Sequence, residues 1–299
     1  MKRFLIFLSL FLFYPLHGFA EIHVVATLPV YASLAREVGG DRVEVKTLAP
    51  GNQDPHFLDA KPSYAVDLNK ADLLIEGGLE LEVGWLPPVV VQARNPKILR
   101  SSPGNVNLAE GINVLEVPKT MVDRSLGDIH PLGNPHAWLD PRNAKIMAAN
   151  IYQHLAKIDP EGKTYYETRL KDFLGRLNAA IAKWNTEIQS FKGKDVLTFH
   201  KSLSYFADWT GLNVVATIEP KPGIPPSSGR VDELLKLLPN YQVKAILVEN
   251  FYPKKIPEYL SQKANIPMVI VPTDTGEEGI NTYFDLMETL IQDIKKVVG

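Results

Sequence analysis

The feature that most constrains the fold is a proline-free helical segment at mid-chain, residues 162–192. Within it Leu170, Phe173, Leu174, Leu177, Ile181, Trp184 and Ile188 recur at three- and four-residue steps, the spacing of one apolar helix face. A helix of that length can run the height of a small domain and join two lobes. On both sides of it short strand patterns alternate with helical ones. Before it, IHVVATL (22–28), the 42–48 segment and DLLIE (72–76) read as strands, with a helix around Tyr31–Val38. After it, strands are expected at Val196–Phe199, Asn213–Ile218, Ala245–Val248 and Pro267–Val271. Helices are expected between them at Lys201–Thr210, Val231–Leu238 and Ile256–Lys263, and an amphipathic helix closes the chain at Thr282–Val298. The alternation predicts an α/β fold of two similar lobes, each a mostly parallel sheet flanked by helices.

The expected boundaries are 21–160 for the N-terminal lobe, 161–193 for the linking helix and 194–299 for the C-terminal lobe. Asp140 and Pro141 combine a strong N-cap with a proline at the first helical position, opening a helix that runs to Lys157. The stretch 105–134 has no sustained period and reads as an irregular connection.

Lys2 and Arg3 precede an apolar run, Phe4–Leu16, and Gly18 and Ala20 supply small residues before a cleavage point. Residues 1–20 therefore read as a secretory signal peptide, the run being short for a membrane span. The chain has no cysteine. Disulfides, thiolate ligands and a lipid-modified cysteine are thereby excluded, and the expectation is a soluble protein exported to a Gram-negative periplasm. The net charge of −2 is small and no basic stripe is present, which argues against nucleic acid as a partner.

Four residues carry the candidate chemistry: His56, His136, His200 and Asp274. Each follows a strand pattern or stands in a loop beyond one, and ligands of open α/β sheets bind beyond the carboxyl ends of strands. Three imidazoles and a carboxylate form a ligand set for zinc or a similar divalent metal. His56 and His136 share a local pattern, Asp54-Pro55-His56 and Asn134-Pro135-His136, in which the proline fixes the backbone beside the imidazole. His23, within a strand, and His154, on a helix, read as structural or solvated. His130 stands six residues before His136 and could reach the same metal or shield it. Glu249 ends a strand, and its expected role is to accept a hydrogen bond from a ligand imidazole.

Six motifs carry a resemblance: DPHFLDAKPS (54–63), GNPHAWLDP (133–141), FHKSLSYFADWTGL (199–212), PGIPPSSGRVDELLKLL (222–238), VENFY (248–252) and PTDTGEEGINTYFDLM (272–287). In this order and over essentially the whole mature chain, the sequence resembles the periplasmic solute-binding proteins of zinc and manganese ABC importers. The resemblance implies that His56, His136, His200 and Asp274 bind the metal, and that 162–192 is the family's single backbone helix between lobes. It implies delivery to an ABC transporter membrane permease by a monomer, without catalysis. Zinc-specific members often carry a histidine-rich loop between the first two ligand histidines. Here 104–132 holds only His130, with Asp123 and Asp128. Three imidazoles favour zinc (Zn2+), with manganese (Mn2+) second, because harder metals prefer oxygen. A zinc-dependent hydrolase and a metal-dependent surface adhesin are the alternatives; the chain lacks H-E-x-x-H, and four protein ligands would close the position that a catalytic zinc keeps open.

Overall fold

Two four-stranded, all-parallel sheets carry the architecture. The first has the order β2-β1-β3-β4, built from β1 (Ile22–Ala26), β2 (Val43–Thr47), β3 (Leu73–Glu76) and β4 (Asn105–Asn107). The second repeats the order as β6-β5-β7-β8, from β5 (Asp195–Thr198), β6 (Asn213–Thr217), β7 (Ala245–Glu249) and β8 (Met268–Val271). The computed structural model describes residues 21–120 and 130–299; the expected signal peptide, and the loop positions Asp123 and Asp128, lie outside the described residues. Among the described residues no helix is long and apolar enough to cross a membrane.

In both sheets the second strand lies on one side of the first and the third on the other. The strand order therefore reverses beside β1 and beside β5, and a crevice opens at the carboxyl ends there. Parallel strands need covering on both faces, which explains the near-continuous apolar runs of β3 and β7.

The mid-chain helix α5 spans Lys163–Glu187 and tightens into a 3-10 turn over Ile188–Phe191. Tyr166, Leu170, Phe173, Leu177 and Trp184 form its buried face; all but Tyr166 are positions of the expected apolar stripe, of which Leu174 and Ile181 are only partly buried. It packs on α1 (Pro29–Gly39), α4 (Pro141–Ile158) and α9 (Tyr283–Val298). One continuous apolar cluster runs from the first sheet through these helices to residues of the second sheet. A smaller cluster, with Leu197, Phe199, Leu234, Val248 and Leu260, covers the other face of the second sheet under α7 (Ser228–Leu237) and α8 (Lys255–Ala264). A core shared across both sheets resists independent motion of the halves. At Gly51 the halves meet backbone to backbone: an added Cβ would lie 1.8 Å from the Thr275 carbonyl oxygen, so only glycine fits.

Four elements differ from the sequence reading. The stretch expected to be irregular begins with β4, an edge strand paired with β3. Helices α2 (Pro62–Lys70) and α3 (Leu86–Ala93) were not delimited by any pattern, and they pack on each other. The sixth helix, α6, begins at Ser204 rather than Lys201, because Lys201–Leu203 belong to the turn that carries His200. The predicted cap of α4 is present: the Asp140 carboxylate accepts a hydrogen bond from Arg142 N at 2.8 Å.

Candidate metal centre

Three of the four candidate residues converge. His56, His136 and His200 are buried, and each has a ring nitrogen within 4.8 Å of the other two. Their ring centroids stand 5.1 Å (His56–His136), 5.4 Å (His56–His200) and 5.2 Å (His136–His200) apart. His56 comes from the loop after β2, His136 from the turn before α4 and His200 from the turn after β5. Both sheets therefore contribute.

Each ring is held the same way. Asp54 Oδ1 accepts from His56 N at 3.0 Å and from His56 Nδ1 at 2.7 Å. Asn134 Oδ1 accepts from His136 N at 2.9 Å and from His136 Nδ1 at 3.0 Å. Glu219 Oε2 accepts from His200 Nδ1 at 2.7 Å. A carboxylate can only accept, as can an amide oxygen, so all three Nδ1 atoms carry the proton. In a neutral ring Nε2 is then a bare donor to a metal. The two proline–histidine patterns thus do more than stiffen the backbone: the residue before each proline folds over to fix the tautomer.

Those orienting groups also tie the two halves together. Tyr252 OH, beyond β7, donates to Asp54 Oδ2 at 3.1 Å, and its ring stacks on Phe199 at 4.3 Å. Asn134 Nδ2 donates to Lys201 O at 2.9 Å, and Tyr205 OH donates to Asn134 O at 2.8 Å. Trp85 Nε1 donates to Pro55 O at 2.9 Å and pins the His56 loop from below.

Asp274 lies outside the tight group. Its Oδ1 accepts from Val30 N, in the first turn of α1, and from Thr275 N, both at 2.7 Å. Burial pushes its carboxyl up to about 8, against the lowering effect of those two backbone bonds. Asp274 therefore caps a helix of the opposite half, a role that complements the positive end of the helix dipole.

Electrostatics separate the histidines. Burial lowers the pKa of His136 well below its ordinary value, and the nearby His56 and His200 charges lower it further. Burial alone would lower His200 too, but the Glu219 hydrogen bond and charge outweigh it and raise the pKa. Asp54 is held below the usual carboxylate range: the His56 hydrogen bond and charge overcome burial. The signs follow from linkage. The His200–Glu219 pair stabilises the metal-free fold below pH 6.5, and the gain is lost as pH rises through the raised value. The depressed His136 acts oppositely, costing stability as pH falls below 6.5.

Glu219 was not singled out by the sequence, and the structure gives it the imidazole-orienting role expected of Glu249. Glu249 is fully buried beside Ser202, with neither oxygen at hydrogen-bonding geometry to a ligand ring, and burial raises its pKa. Replacing Glu219 with Gln is expected to weaken zinc binding about 10- to 100-fold near neutral pH, the usual cost of losing a group that orients a ligand. The same change should move the acid loss of binding to lower pH, because the His200 imidazolium loses its anion. Zinc competition titrations of both proteins across the histidine range check this; an onset that does not move would show that Glu219 does not hold the proton on His200.

Of the other histidines, His23 pairs with Glu44 on the surface at 2.9 Å, and His154 donates to Pro103 O at 2.8 Å. His130 stands at the centre itself: its Nε2 is 3.1 Å from His56 Nε2. Burial holds its pKa down to about 3, helped by the His56 and His200 charges. It also lines, with His136, His200 and the Pro220–Pro222 loop, a cleft of about 300 Å³ that opens onto the histidines.

A family model described as zinc-uptake complex component A, periplasmic (ZnuA), matches residues 24–297. The chain belongs to this family. Among curated relatives, the metal ABC transporter substrate-binding lipoprotein ScbA of Streptococcus cristatus is 25% identical over 287 residues, covering 93% of this chain and 89% of its own. A manganese ABC transporter substrate-binding lipoprotein PsaA of Streptococcus pneumoniae is 27% identical over 289 residues, covering 92% and 88%. Among solved structures, the crystal structure of ZnuA superposes with a TM-score of 0.78 at 23% identity, covering 93% of this chain and all of that one. A periplasmic metal-binding protein from Candidatus Liberibacter asiaticus superposes with a TM-score of 0.75 at 20% identity, covering 93% and 100%. These structural likenesses bear out the two-lobe α/β fold expected from the alternation of strand and helix patterns.

Proposed function

We propose that the protein captures a divalent transition metal in the periplasm, zinc before manganese, and as a monomer delivers it to the membrane permease of an ABC transporter. The observation that carries this reading is the set of three buried imidazoles, each with Nδ1 committed to an acceptor and Nε2 directed into a common space. His56, His136 and His200 are the ligands, with Asp274 contributing a carboxylate oxygen other than the one bound to α1. The lobes, 21–160 and 194–299, each supply two ligands across the linking helix 161–193. Residues 1–20 act as the export signal and are cleaved. The reading is of binding and transfer, without catalysis.

The zinc preference rests on the surroundings of His200. A carboxylate at this position would suit manganese, but here it would face the Glu219 carboxylate within hydrogen-bond distance and be repelled. The neighbourhood is built for an imidazole. Protein purified without added metal is expected to retain zinc on elemental analysis, and zinc is expected to displace manganese in competition. Retention of manganese in preference to zinc would reverse the metal assignment, and a protein binding neither would remove the proposed function.

A further inference from the structure

Asp54 is held from both halves of the molecule. Its Oδ1 accepts from the His56 backbone and from His56 Nδ1, while its Oδ2 accepts from Tyr252 OH at 3.1 Å, beyond β7 in the C-terminal half. The terminal torsion of an aspartate is broad, so a carboxylate bonded through one oxygen can turn about that contact. A donor on the second oxygen removes the freedom and keeps Oδ1 on the imidazole. Charge sets the direction of the bond. Burial raises the pKa of Tyr252, and the Asp54, Glu249 and Glu219 charges raise it further, so the phenol keeps its proton and donates to the carboxylate.

Tyr252 is itself fixed against the third histidine. Its backbone N–H donates to Glu249 O at 3.1 Å, closing a turn on the end of β7. Its ring lies nearly parallel to Phe199, with 16° between the planes, and stands 6.0 Å from the His200 ring. Phe199 is buried in the cluster under α7 and α8 and immediately precedes His200 in the chain. One side chain therefore spans from the segment carrying His200 to the carboxylate that orients His56. The two imidazoles it connects belong to different halves and stand 5.4 Å apart, centroid to centroid.

We propose that Tyr252 is a positioning residue for metal retention: from the C-terminal half its hydroxyl locks the Asp54 carboxylate, and through it the His56 imidazole, and so slows release of the bound ion. The inference rests on His56 and His200 being metal ligands. A ligand of one half is then aligned only while the other half is docked against it. Separation of the halves at this point frees Asp54 to turn, and His56 Nε2 loses its aim.

The test uses the full mature protein, with zinc as the probe and a chelator to follow its release. Tyr252→Phe keeps the ring on Phe199 and removes only the hydroxyl. Its zinc dissociation rate is expected to rise about tenfold, the low end for losing a group beyond the metal's own ligands, with the association rate near native. The Nδ1 proton of His56, followed in nitrogen-15 spectra of the zinc-loaded protein, is expected to exchange with water faster than in the native protein. In an Asp54→Ala background the same change is expected to alter neither rate further. An unchanged dissociation rate in Tyr252→Phe would overturn the inference. So would an equal acceleration with and without the Asp54 carboxylate, which would show that Tyr252 does not act through Asp54. A His56→Ala protein that binds zinc as the native protein does would instead overturn the ligand reading on which the inference rests.

Discussion

Substituting His200 by alanine is expected to weaken zinc binding by more than about 100-fold, beyond the range for groups that merely orient a ligand. Two losses combine. One of three converging nitrogens disappears, and the Glu219 carboxylate, buried and hydrogen-bonded to His200 Nδ1, is left without its partner. An unpaired buried anion destabilises the metal-free protein as well, so denaturant unfolding of the apo form should accompany the zinc competition titration. The paired change His200→Ala with Glu219→Gln removes that anion. It should recover apo stability toward native but not zinc affinity. A single variant that binds zinc as the native protein does would disprove the ligand assignment.

The second large effect is on stability. Trp138 is fully buried, its ring edge-on to Tyr31 at 5.7 Å and 5.3 Å from the His136 ring. Its indole N–H donates to Thr273 O at 2.7 Å, and its own carbonyl accepts from Tyr283 OH at 2.9 Å. The side chain thus links the His136 turn to the segment carrying Asp274, and the main-chain carbonyl links it to α9. Trp138→Ala is expected to cost about 3–5 kcal/mol of unfolding free energy, the range for truncating a large buried aromatic. Zinc affinity should fall with it, because both the ring against His136 and the bond beside Asp274 are lost. Trp138→Phe separates the two: it keeps most of the packing and loses the bond to Thr273. Denaturant unfolding in the absence and presence of zinc measures both. An unfolding midpoint unmoved in Trp138→Ala would show that the ring does not carry the packing between the halves.

Much of the fold was legible because its periods are strong. The helix at 162–192 reads directly from seven apolar positions, and the strands of the second sheet follow from short apolar runs bounded by turn residues. The elements that were missed have conflicting local signals. The run LPPVVVQA places two prolines in a first turn and then three β-branched valines, a pattern of low helix propensity, yet packing against α2 makes it α3. Strand β4 is three residues long with asparagine at both ends, and only its partner β3 makes it a strand.

At the centre the histidines were legible and most of their partners were not. Asp54 and Asn134 lie in the same short motifs as His56 and His136, so their sequence proximity was a usable signal. Glu219 is nineteen residues from His200 and reaches it only because β6 lies beside β5, which no local pattern reveals. The expectation for Glu249 failed for the same reason: a strand-end carboxylate near the crevice is a correct placement, but which ring it meets depends on side-chain direction. Asp274 reads as a ligand from its place after a strand pattern, and only the tertiary structure shows that one of its oxygens is taken by the first turn of α1, 244 residues earlier.

By itself, then, the sequence determined the two parallel sheets, the helix between them, the donor types and their placement at strand ends, because periodicity and turn chemistry are local. The tertiary structure decided what depends on distances between remote segments. It brought His56, His136 and His200 within reach of one another and chose Glu219 over Glu249 as the acceptor for His200. It also set His130 against His56. A hydrogen bond or a shared metal is a matter of a few tenths of an ångström, and that precision is fixed only when both halves pack around one core.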